Sequence, residues 1–367
     1  MSINAKIDEA IAAIERAAFD PVGWDAALEA AASATGSRIG QLLAMGNDDL
    51  VSFNRLTGLS PEFRAEWSEN GFDHPAINSR VRIGVQAPIL QSLDERAFHT
   101  EQDAIDCPEY GELIRQSDIP YICLTNLVSD ADAQFGFAVL RGERQGNIEG
   151  DERRAFDHLA LHVQRAIAMS RAIGVREAAA IARGMEAIHA ISFICDIDGR
   201  VLDMSRRADD FLRGTNQLAV VDRRLIERRD GRDLSRIARA AAFDRSLPIP
   251  PLMLSGDDET LPLIAEFAPV PAETIGFPGA PGAIITLRRP WSSVGQRIES
   301  QAMPLYHLTA REAQVAARLC AGQSPQQLAT GLSLGLGTVR THIRRLFDKT
   351  GAGSLAQLVA ILSAYGD

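Results

Sequence analysis

The residues near the C-terminus that could do chemistry are polar and basic groups on one face of a predicted helix, residues 336–350. They are Thr338, Arg340, Thr341, Arg344, Arg345 and Lys349. The opposite face carries Val339, Ile343 and Leu346, at the three- and four-residue spacing of an amphipathic helix. Because guanidinium groups pair with phosphates, or bidentately with guanine edges, this face predicts nucleic-acid binding.

Two shorter helices are predicted just before this one. Thr309 with Glu312 forms the sequence pattern of a capping box, and Gly322 ends the first helix. Ser324 caps the second helix, and a short turn at residues 333–335 leads into the third. Three helices joined in this way predict a helix-turn-helix unit whose third helix enters the major groove.

Charge is distributed unevenly along the 367 residues, which carry a formal net charge of −10. Residues 301–367 hold six basic and three acidic side chains, whereas the other 300 residues hold 32 basic and 45 acidic ones. A small basic tail on an acidic body is expected of a regulator whose bulk stays off the DNA. No apolar run reaches 18 residues, and the four cysteines form no CxxC pair, so we expect a cytoplasmic protein with no membrane span, cofactor or metal.

The first block, residues 1–170, shows α+β order. It opens on an amphipathic helix, and helical or irregular segments follow between Pro61 and Arg82. The predicted strands are residues 37–45, 50–53, 87–91, 121–128 and 134–140.

A helical segment at residues 150–190 connects this block to a second one at residues 188–290. Gly174 is expected to break the connecting helix in two. The second block contains strands at 191–197, 200–204, 261–270 and 282–287, a helix at 206–213, and a tight turn at Asp198-Gly199. A linker rich in proline, serine and glycine follows at residues 291–304.

The tail, residues 305–367, resembles the LuxR-type (GerE-like) DNA-binding domain. The resemblance rests on Leu308-Thr309-Ala310-Arg311-Glu312, Gly322-Gln323-Ser324, Leu328-Ala329, Thr338-Val339-Arg340-Thr341-His342-Ile343 and Lys349-Thr350-Gly351. It implies that Arg340, Thr341 and Arg344 face bases, and that Thr338, Arg345 and Lys349 approach the DNA backbone. It also implies a fourth helix, beginning at Ser354, that mediates dimerisation.

Four positions depart from the pattern of that family. Gln327 stands where the family has Glu, which is expected to weaken a buried polar contact, and Gly335 replaces the usual capping Ser. Gly337 costs the helix about 1 kcal/mol relative to alanine. Leu355 replaces a late basic residue. These departures predict weaker DNA binding by the tail alone.

The two front blocks resemble sensor domains in the order of their elements. The first is similar to GAF-like domains, and the second is similar to PAS-like domains. The expected fold class is therefore α+β multidomain: antiparallel-sheet sensor domains followed by an all-α four-helix helix-turn-helix domain.

A ligand site is expected around Trp67, Phe72 and Asp73, which resemble the Trp, Tyr and Asp-Pro cluster of acyl-lactone quorum sensors. In that cluster the acid accepts an amide N–H and the aromatic rings cover the ligand. Here His74 separates Asp73 from Pro75, and the tyrosine is absent. A core pair formed by Trp67 and Phe72 is favoured over this site, and an unidentified ligand or a protein partner is the other alternative.

Catalytic patterns are not found, so an enzyme is not expected. His158 and His162 stand at metal-ligand spacing, but no HExxH pattern or third ligand accompanies them, and a helix-face pair is favoured. Cys195 and His189 could indicate a haem or thiol sensor, although each stands alone in an apolar run and core packing is favoured.

The sequence therefore favours a dimeric transcription regulator that binds double-stranded DNA and is controlled by a small ligand or protein partner at its N-terminal region. The alternative is a signalling scaffold whose tail binds protein. Acyl-lactone quorum sensing is a lesser alternative.

Overall fold

A computed structural model describes residues 2–46, 51–130, 133–243, 249–254, 262–270, 277–288, 298, 302–320 and 322–363 of the chain. The chain divides into two compact units. The first comprises residues 1–249 and 267–285, and the second comprises residues 250–266 and 286–367.

The elements up to residue 243 belong to the first unit. Its helices are α1 (Ile3–Ala17), α2 (Trp24–Ala34), α3 (Pro61–Glu69), α4 (Ser79–Gly84), α5 (Thr100–Asp106), α6 (Pro108–Gln116), α7 (Gly150–Ala187), α8 (Arg206–Arg213) and α9 (Leu234–Phe243). Its strands are β1 (Ile39–Met45), β2 (Val51–Leu56), β3 (Leu93–Asp94), β4 (Tyr121–Ser129), β5 (Gln134–Arg141), β6 (Ile191–Asp196), β7 (Val201–Met204), β8 (Leu218–Val221) and β9 (Arg224–Glu227).

Three strands and five helices complete the described elements. The strands are β10 (Leu252–Leu254), β11 (Leu263–Pro269) and β12 (Pro281–Arg288). The helices are α10 (Met303–Leu305), α11 (Ala310–Cys320), α12 (Pro325–Gly331), α13 (Leu336–Thr350) and α14 (Leu355–Ser363).

The first sheet has the strand order β2-β1-β5-β4-β3, with antiparallel neighbours throughout. Side chains alternate between its two faces, as a strand requires. Phe135, Phe137 and Val139 pack in a core with α1, α2 and α7. Ala138 and Leu140 point the other way, into a second core with α3 and α6. The sheet therefore separates two apolar layers.

The predicted strands at 37–45, 50–53, 121–128 and 134–140 correspond to β1, β2, β4 and β5. The predicted strand at 87–91 is wrong. These residues make one isolated bridge, between Ile89 and Asn126, and Leu90 has a φ of 63°. Pro88 lacks a backbone N–H, and Leu90 takes a left-handed conformation, so the run cannot continue as a ladder.

The predicted break at Gly174 is also wrong, because α7 is one continuous helix of 38 residues. A Cβ atom at Gly174 would lie 2.2 Å from the carbonyl oxygen of Gly279. This glycine therefore permits a close approach of another backbone segment to the helix, which is a packing role and not a helix-breaking one.

The second sheet has the strand order β10-β11-β12-β6-β7, and β8 pairs with β9 in a separate hairpin. The predicted turn at Asp198-Gly199 joins β6 to β7, and the predicted helix at 206–213 is α8. Sequence reasoning missed α5, α6 and the β8-β9 hairpin. Of the predicted linker at 291–304, residues 291–297 and 299–301 lie outside the described residues.

Phe277 belongs by sequence to the second block but packs in the core of the first sheet. Its ring lies 5.8 Å from that of Trp24, 5.5 Å from that of Phe53 and 5.8 Å from that of Phe135. Only 1% of Phe277 is exposed. The two front blocks therefore share part of one core, which the sequence did not predict.

The described chain contains no helix that combines the length and the apolar character needed to span a bilayer.

Candidate functional site

The first two tail helices begin with the caps that the sequence predicted. At α11, the N–H of Thr309 donates to Glu312 Oε2 at 2.8 Å, and the N–H of Glu312 donates to Thr309 Oγ1 at 3.3 Å. At α12, Ser324 and Gln327 form a second reciprocal capping box. Gln327 is exposed, so the expectation that it weakens a buried polar contact is wrong.

The turn between α12 and α13 is held by a contact from α11. Arg311 Nη2 donates to the carbonyl oxygen of Leu332 at 3.0 Å, which satisfies an acceptor at the end of α12. Ser333 follows with a φ of 52°, the left-handed conformation that reverses the chain. Val339 and Leu346 of α13 are fully buried against α11 and α12 in the tail core. This packing fixes which face of α13 points outward.

The outward face of α13 carries the predicted DNA-binding residues. Those that are exposed are Thr338, Arg340, Thr341, Arg344, Arg345 and Lys349. Among the described residues, the guanidinium groups of Arg340, Arg344 and Arg345 have no hydrogen-bond or ion-pair partner. Three unpaired cations on one helix form a surface that can bind phosphate oxygens.

Lys349 differs from these arginines because it is engaged within the tail. Its Nζ lies 2.7 Å from Glu312 Oε2 and donates to the carbonyl oxygen of His307 at 2.7 Å. Glu312 is 2% exposed. Burial alone would raise the pKa of this carboxyl, but the hydrogen bonds from Lys349 and Thr309 outweigh it and lower the pKa to about 2. The predicted contact between Lys349 and the DNA backbone therefore competes with an internal ion pair.

The start of α13 lacks a side-chain cap. Gly335 occupies the N-cap position with extended backbone angles and contributes no cap hydrogen bond. A Cβ atom at Gly337 would have no neighbour within 4 Å, so nothing in the described packing requires this glycine. The first turn of α13 is therefore less stabilised than the first turns of α11 and α12.

A cavity of about 730 Å³, a volume that includes space open to solvent, lies in the first unit on the sheet face that carries α3 and α4. Its walls are largely apolar and include Leu43, Leu56 and Leu124. Trp67 and Asp73, two of the three predicted ligand residues, line it. Phe72 does not line it and instead packs on Trp67, with the ring centroids 5.7 Å apart.

The carboxyl of Asp73 accepts hydrogen bonds from neighbouring side chains. Trp67 Nε1 donates to its Oδ1 at 2.5 Å, and Asn54 Nδ2 lies 3.1 and 3.2 Å from its two oxygens. Gln41, which also lines the cavity, donates to Asn54 Oδ1 at 3.0 Å. Burial raises the pKa of Asp73, although the hydrogen bonds from Trp67 and Asn54 oppose the shift. These side chains form one hydrogen-bonded chain at the side of the cavity.

Arg80 adds a cationic group to this cavity that sequence reasoning missed. It is 3% exposed, and its Nη2 lies 2.9 Å from Glu95 Oε2. The same atom donates to the carbonyl oxygens of Ile119 and Pro120. Arg80 lines the cavity, and its Nε is buried without a hydrogen-bond partner among the described residues. Arg80 lies on the short helix α4, so the alternation of apolar and polar residues in the strands could not indicate it.

Tyr110, on α6, packs against the aromatic residues of the cavity region, although the motif around Trp67 contains no tyrosine. Its ring lies 5.7 Å from that of Trp67 and 5.6 Å from that of Phe72. Its hydroxyl donates to Asn78 Oδ1 at 3.0 Å. The contact joins segments 32 residues apart, which explains why spacing along the chain did not reveal it.

The other candidate residues do not form reactive sites among the described residues. The rings of His158 and His162 lie 5.1 Å apart, and no group of three His, Cys, Asp or Glu side chains suited to a metal is present in the described ranges. Burial raises the pKa of the Cys195 thiol. His189 is exposed, with a φ of 62°, at the end of α7.

Comparison with known proteins matches residues 306–362 to the family of bacterial regulatory proteins, luxR family. No curated protein matches the chain. The solved structures that are similar to this chain include those of three proteins. The N-acylhomoserine lactone dependent LuxR family transcription factor CepR2 from Burkholderia cenocepacia is 12% identical, with 45% of this chain and 93% of that chain covered and a TM-score of 0.34.

SdiA from Escherichia coli is 10% identical, with 96% of this chain and 91% of that chain covered and a TM-score of 0.31. The VqmA dimer from Vibrio cholerae is 18% identical, with 48% of this chain and 83% of that chain covered and a TM-score of 0.18. The capping boxes, the turn and the packed third helix all lie within the matched residues 306–362. This chain therefore ends in a LuxR-family helix-turn-helix domain.

Proposed function

We propose that this protein is a transcription regulator that binds double-stranded DNA through α13 and is controlled by its N-terminal region. The observation that carries the proposal is the exposed face of α13, where Arg340, Arg344 and Arg345 have no partner among the described residues. Each guanidinium offers a fork of donors that fits phosphate or the major-groove edge of guanine. Arg340, Thr341 and Arg344 are assigned to bases, and Thr338 and Arg345 to the DNA backbone.

The control site in this proposal is the cavity lined by Trp67 and Asp73. A partly open cavity with largely apolar walls and a few convergent polar groups suits a small, mostly apolar ligand. The cationic side chain of Arg80 in the cavity lining favours a ligand that carries a hydrogen-bond acceptor. Since Asp73 already accepts bonds from Trp67 and Asn54, an amide of an acyl-lactone would have to share or displace them. An acyl-lactone therefore remains the lesser alternative.

Dimerisation is proposed to use the last helix, α14. Leu358 and Leu362 are buried in the tail core, whereas Leu355 is 39% exposed. Ala356 and Ala360 are exposed beside it, so this face of α14 is small and apolar. We further propose that residues 1–170 are GAF-like, that residues 188–290 are PAS-like, and that the protein works in the cytoplasm. Two five-stranded sheets are consistent with this arrangement.

The test is selection of DNA from a random duplex library by the full-length protein, followed by a gel shift with the selected sequence. Arg344→Ala should weaken binding by about 1–3 kcal/mol and relax the preference at one base. Arg176→Ala, an exposed arginine on α7, is the matched control and should leave binding unchanged. If no duplex is selected at low salt, or if Arg344→Ala binds as wild type does, the tail acts as a protein-binding module of a signalling scaffold instead.

A further inference from the structure

A second cavity, of about 410 Å³ including its opening, lies in the first unit apart from the one lined by Trp67. It is bounded by α7, by the β6-β7 hairpin, by Arg223 and by residues 278–279. Its character differs from that of the first cavity, because it is lined by three arginines and two aspartates. Nothing in the DNA-binding proposal uses these residues.

Arg200 is the key side chain of this cavity. It follows the tight turn after β6, where its backbone N–H donates to Asp196 Oδ1 at 2.8 Å. Arg200 is 5% exposed, and among the described residues its guanidinium makes no hydrogen bond or ion pair at short range, although its charge acts on the nearby carboxyl of Asp196. A largely buried guanidinium with free donors is stabilised by a hydrogen-bond acceptor. A ligand bound in the cavity can supply that acceptor.

The other two arginines of the cavity are already held by the protein. Arg171 Nη1 lies 2.6 Å from Asp130 Oδ2, and Arg223 Nε donates to the carbonyl oxygen of Val201 at 3.2 Å. These two arginines are therefore engaged within the protein, while Arg200 retains its donors.

The two aspartates of the cavity repel a bound anion less strongly than two full negative charges would. Asp196 Oδ1 accepts the N–H groups of both Asp198 and Arg200, which turns this oxygen toward the backbone of the turn. Burial, and then the nearby Asp198, raise the pKa of Asp196 to about 7. Its carboxyl therefore carries only part of a negative charge near neutral pH.

We propose that this cavity binds a small anion whose carboxylate or phosphate oxygens accept hydrogen bonds from the guanidinium of Arg200. The planar fork of arginine matches both groups, and binding would provide the guanidinium with hydrogen-bond acceptors that it lacks among the described residues. The site is independent of the cavity lined by Trp67, and it would give the N-terminal region a second signal input.

The experiment is calorimetric titration of the full-length protein with inorganic phosphate and, separately, with succinate, at constant ionic strength in chloride. We expect saturable binding of at least one anion. Arg200→Gln should weaken that binding at least tenfold, and Arg200→Lys should weaken it less because the charge is kept. Arg165→Gln, at an exposed arginine of α7 outside the cavity, should bind as wild type does.

A second pair of variants tests the site if Arg200→Gln does not fold. Val175 lines the cavity and is 51% exposed on α7, so polar residues are tolerated there. Val175→Glu should weaken anion binding at least threefold by repulsion, whereas Val175→Gln should not. The proposal is overturned if neither anion binds saturably to the wild-type protein. It is also overturned if binding is unchanged in both Arg200→Gln and Val175→Glu.

Discussion

The Nζ of Lys349 lies 2.7 Å from Glu312 Oε2, an ion pair that joins the end of α13 to the start of α11. The same carboxylate closes the capping box with Thr309. One acidic residue therefore stabilises a helix start and fixes the orientation of the helix that presents the arginines. The exposed face of α13 depends on this contact, although Glu312 lies outside that face.

Lys349→Met should destabilise the tail by about 1–3 kcal/mol, because it leaves a nearly buried carboxylate without its cation. Glu312→Gln should cost less, since the amide oxygen can still accept the N–H of Thr309. The double variant should recover much of the loss. Hydrogen exchange of the α11 and α13 amides in the full chain measures all three. Equal losses in Lys349→Met and in the double variant would show that the pair is not coupled.

The same pair gives the tail a pH dependence. The pKa of Glu312 is lowered from 4.5 to about 2, so the folded tail binds this proton less readily than the unfolded chain does. Its contribution to stability is present above pH 4.5 and is lost as the pH falls through 2.

Substitutions at the start of α13 should stabilise it. A Cβ atom at Gly335 would lie 3.7 Å from Thr338 Oγ1, an ordinary contact, so Gly335→Ser can add a cap worth a few tenths of a kcal/mol. Gly337→Ala should add roughly 0.5–1 kcal/mol. Slower exchange of the α13 amides, with DNA affinity maintained or raised, is the expected result. Faster exchange in both variants would show that the glycines serve a conformation other than this helix.

Asp196 should make the stability of the first unit fall as the pH rises. Its pKa is raised from 3.8 to about 7, so the folded state holds the proton more tightly than the unfolded state does. The stabilisation is therefore complete below pH 3.8 and is lost as the pH rises to 7. Asp196→Asn imitates the protonated form and keeps an oxygen for the N–H groups of Asp198 and Arg200. Urea unfolding at pH 5 and pH 7.5 should show a smaller pH effect in this variant, and equal pH effects would contradict the assignment.

Phe277→Ala should destabilise the first unit by about 3–5 kcal/mol, because it removes a fully buried ring from the core of the first sheet. Phe243→Ala, at a ring that is 54% exposed on α9, is the control and should change stability by less than about 0.5 kcal/mol. Urea unfolding followed by circular dichroism measures both. Similar effects of the two substitutions would mean that Phe277 does not share the core of the first block.

The sequence predicted the tail well because its signals are local. Capping boxes join residues three positions apart, and the apolar stripe of α13 repeats every three or four residues, so Thr309, Ser324 and Val339 could be placed without tertiary information. The engagement of Lys349 was missed because its partner Glu312 lies 37 residues away.

The front blocks were predicted less well because their main features are long-range. The sequence around Gly174 indicates a break in the helix. The packing role of this glycine depends on the backbone of Gly279, which lies far away in the sequence. Phe277 and Tyr110 likewise acquire their roles from distant segments. The cavity residues Trp67 and Asp73 were found from a motif, whereas Arg80 and Arg200 carry no local pattern.

The salt dependence of DNA binding tests the central claim most directly. With the duplex selected by the full-length protein, the logarithm of the binding constant should fall linearly with the logarithm of salt concentration, with a slope of about −0.9 for each phosphate contacted. The triple variant Arg340→Ala/Arg344→Ala/Arg345→Ala should lose sequence preference and show a slope nearer zero. An affinity and a slope equal to those of the wild-type protein would contradict the assignment of α13 as the DNA-binding helix.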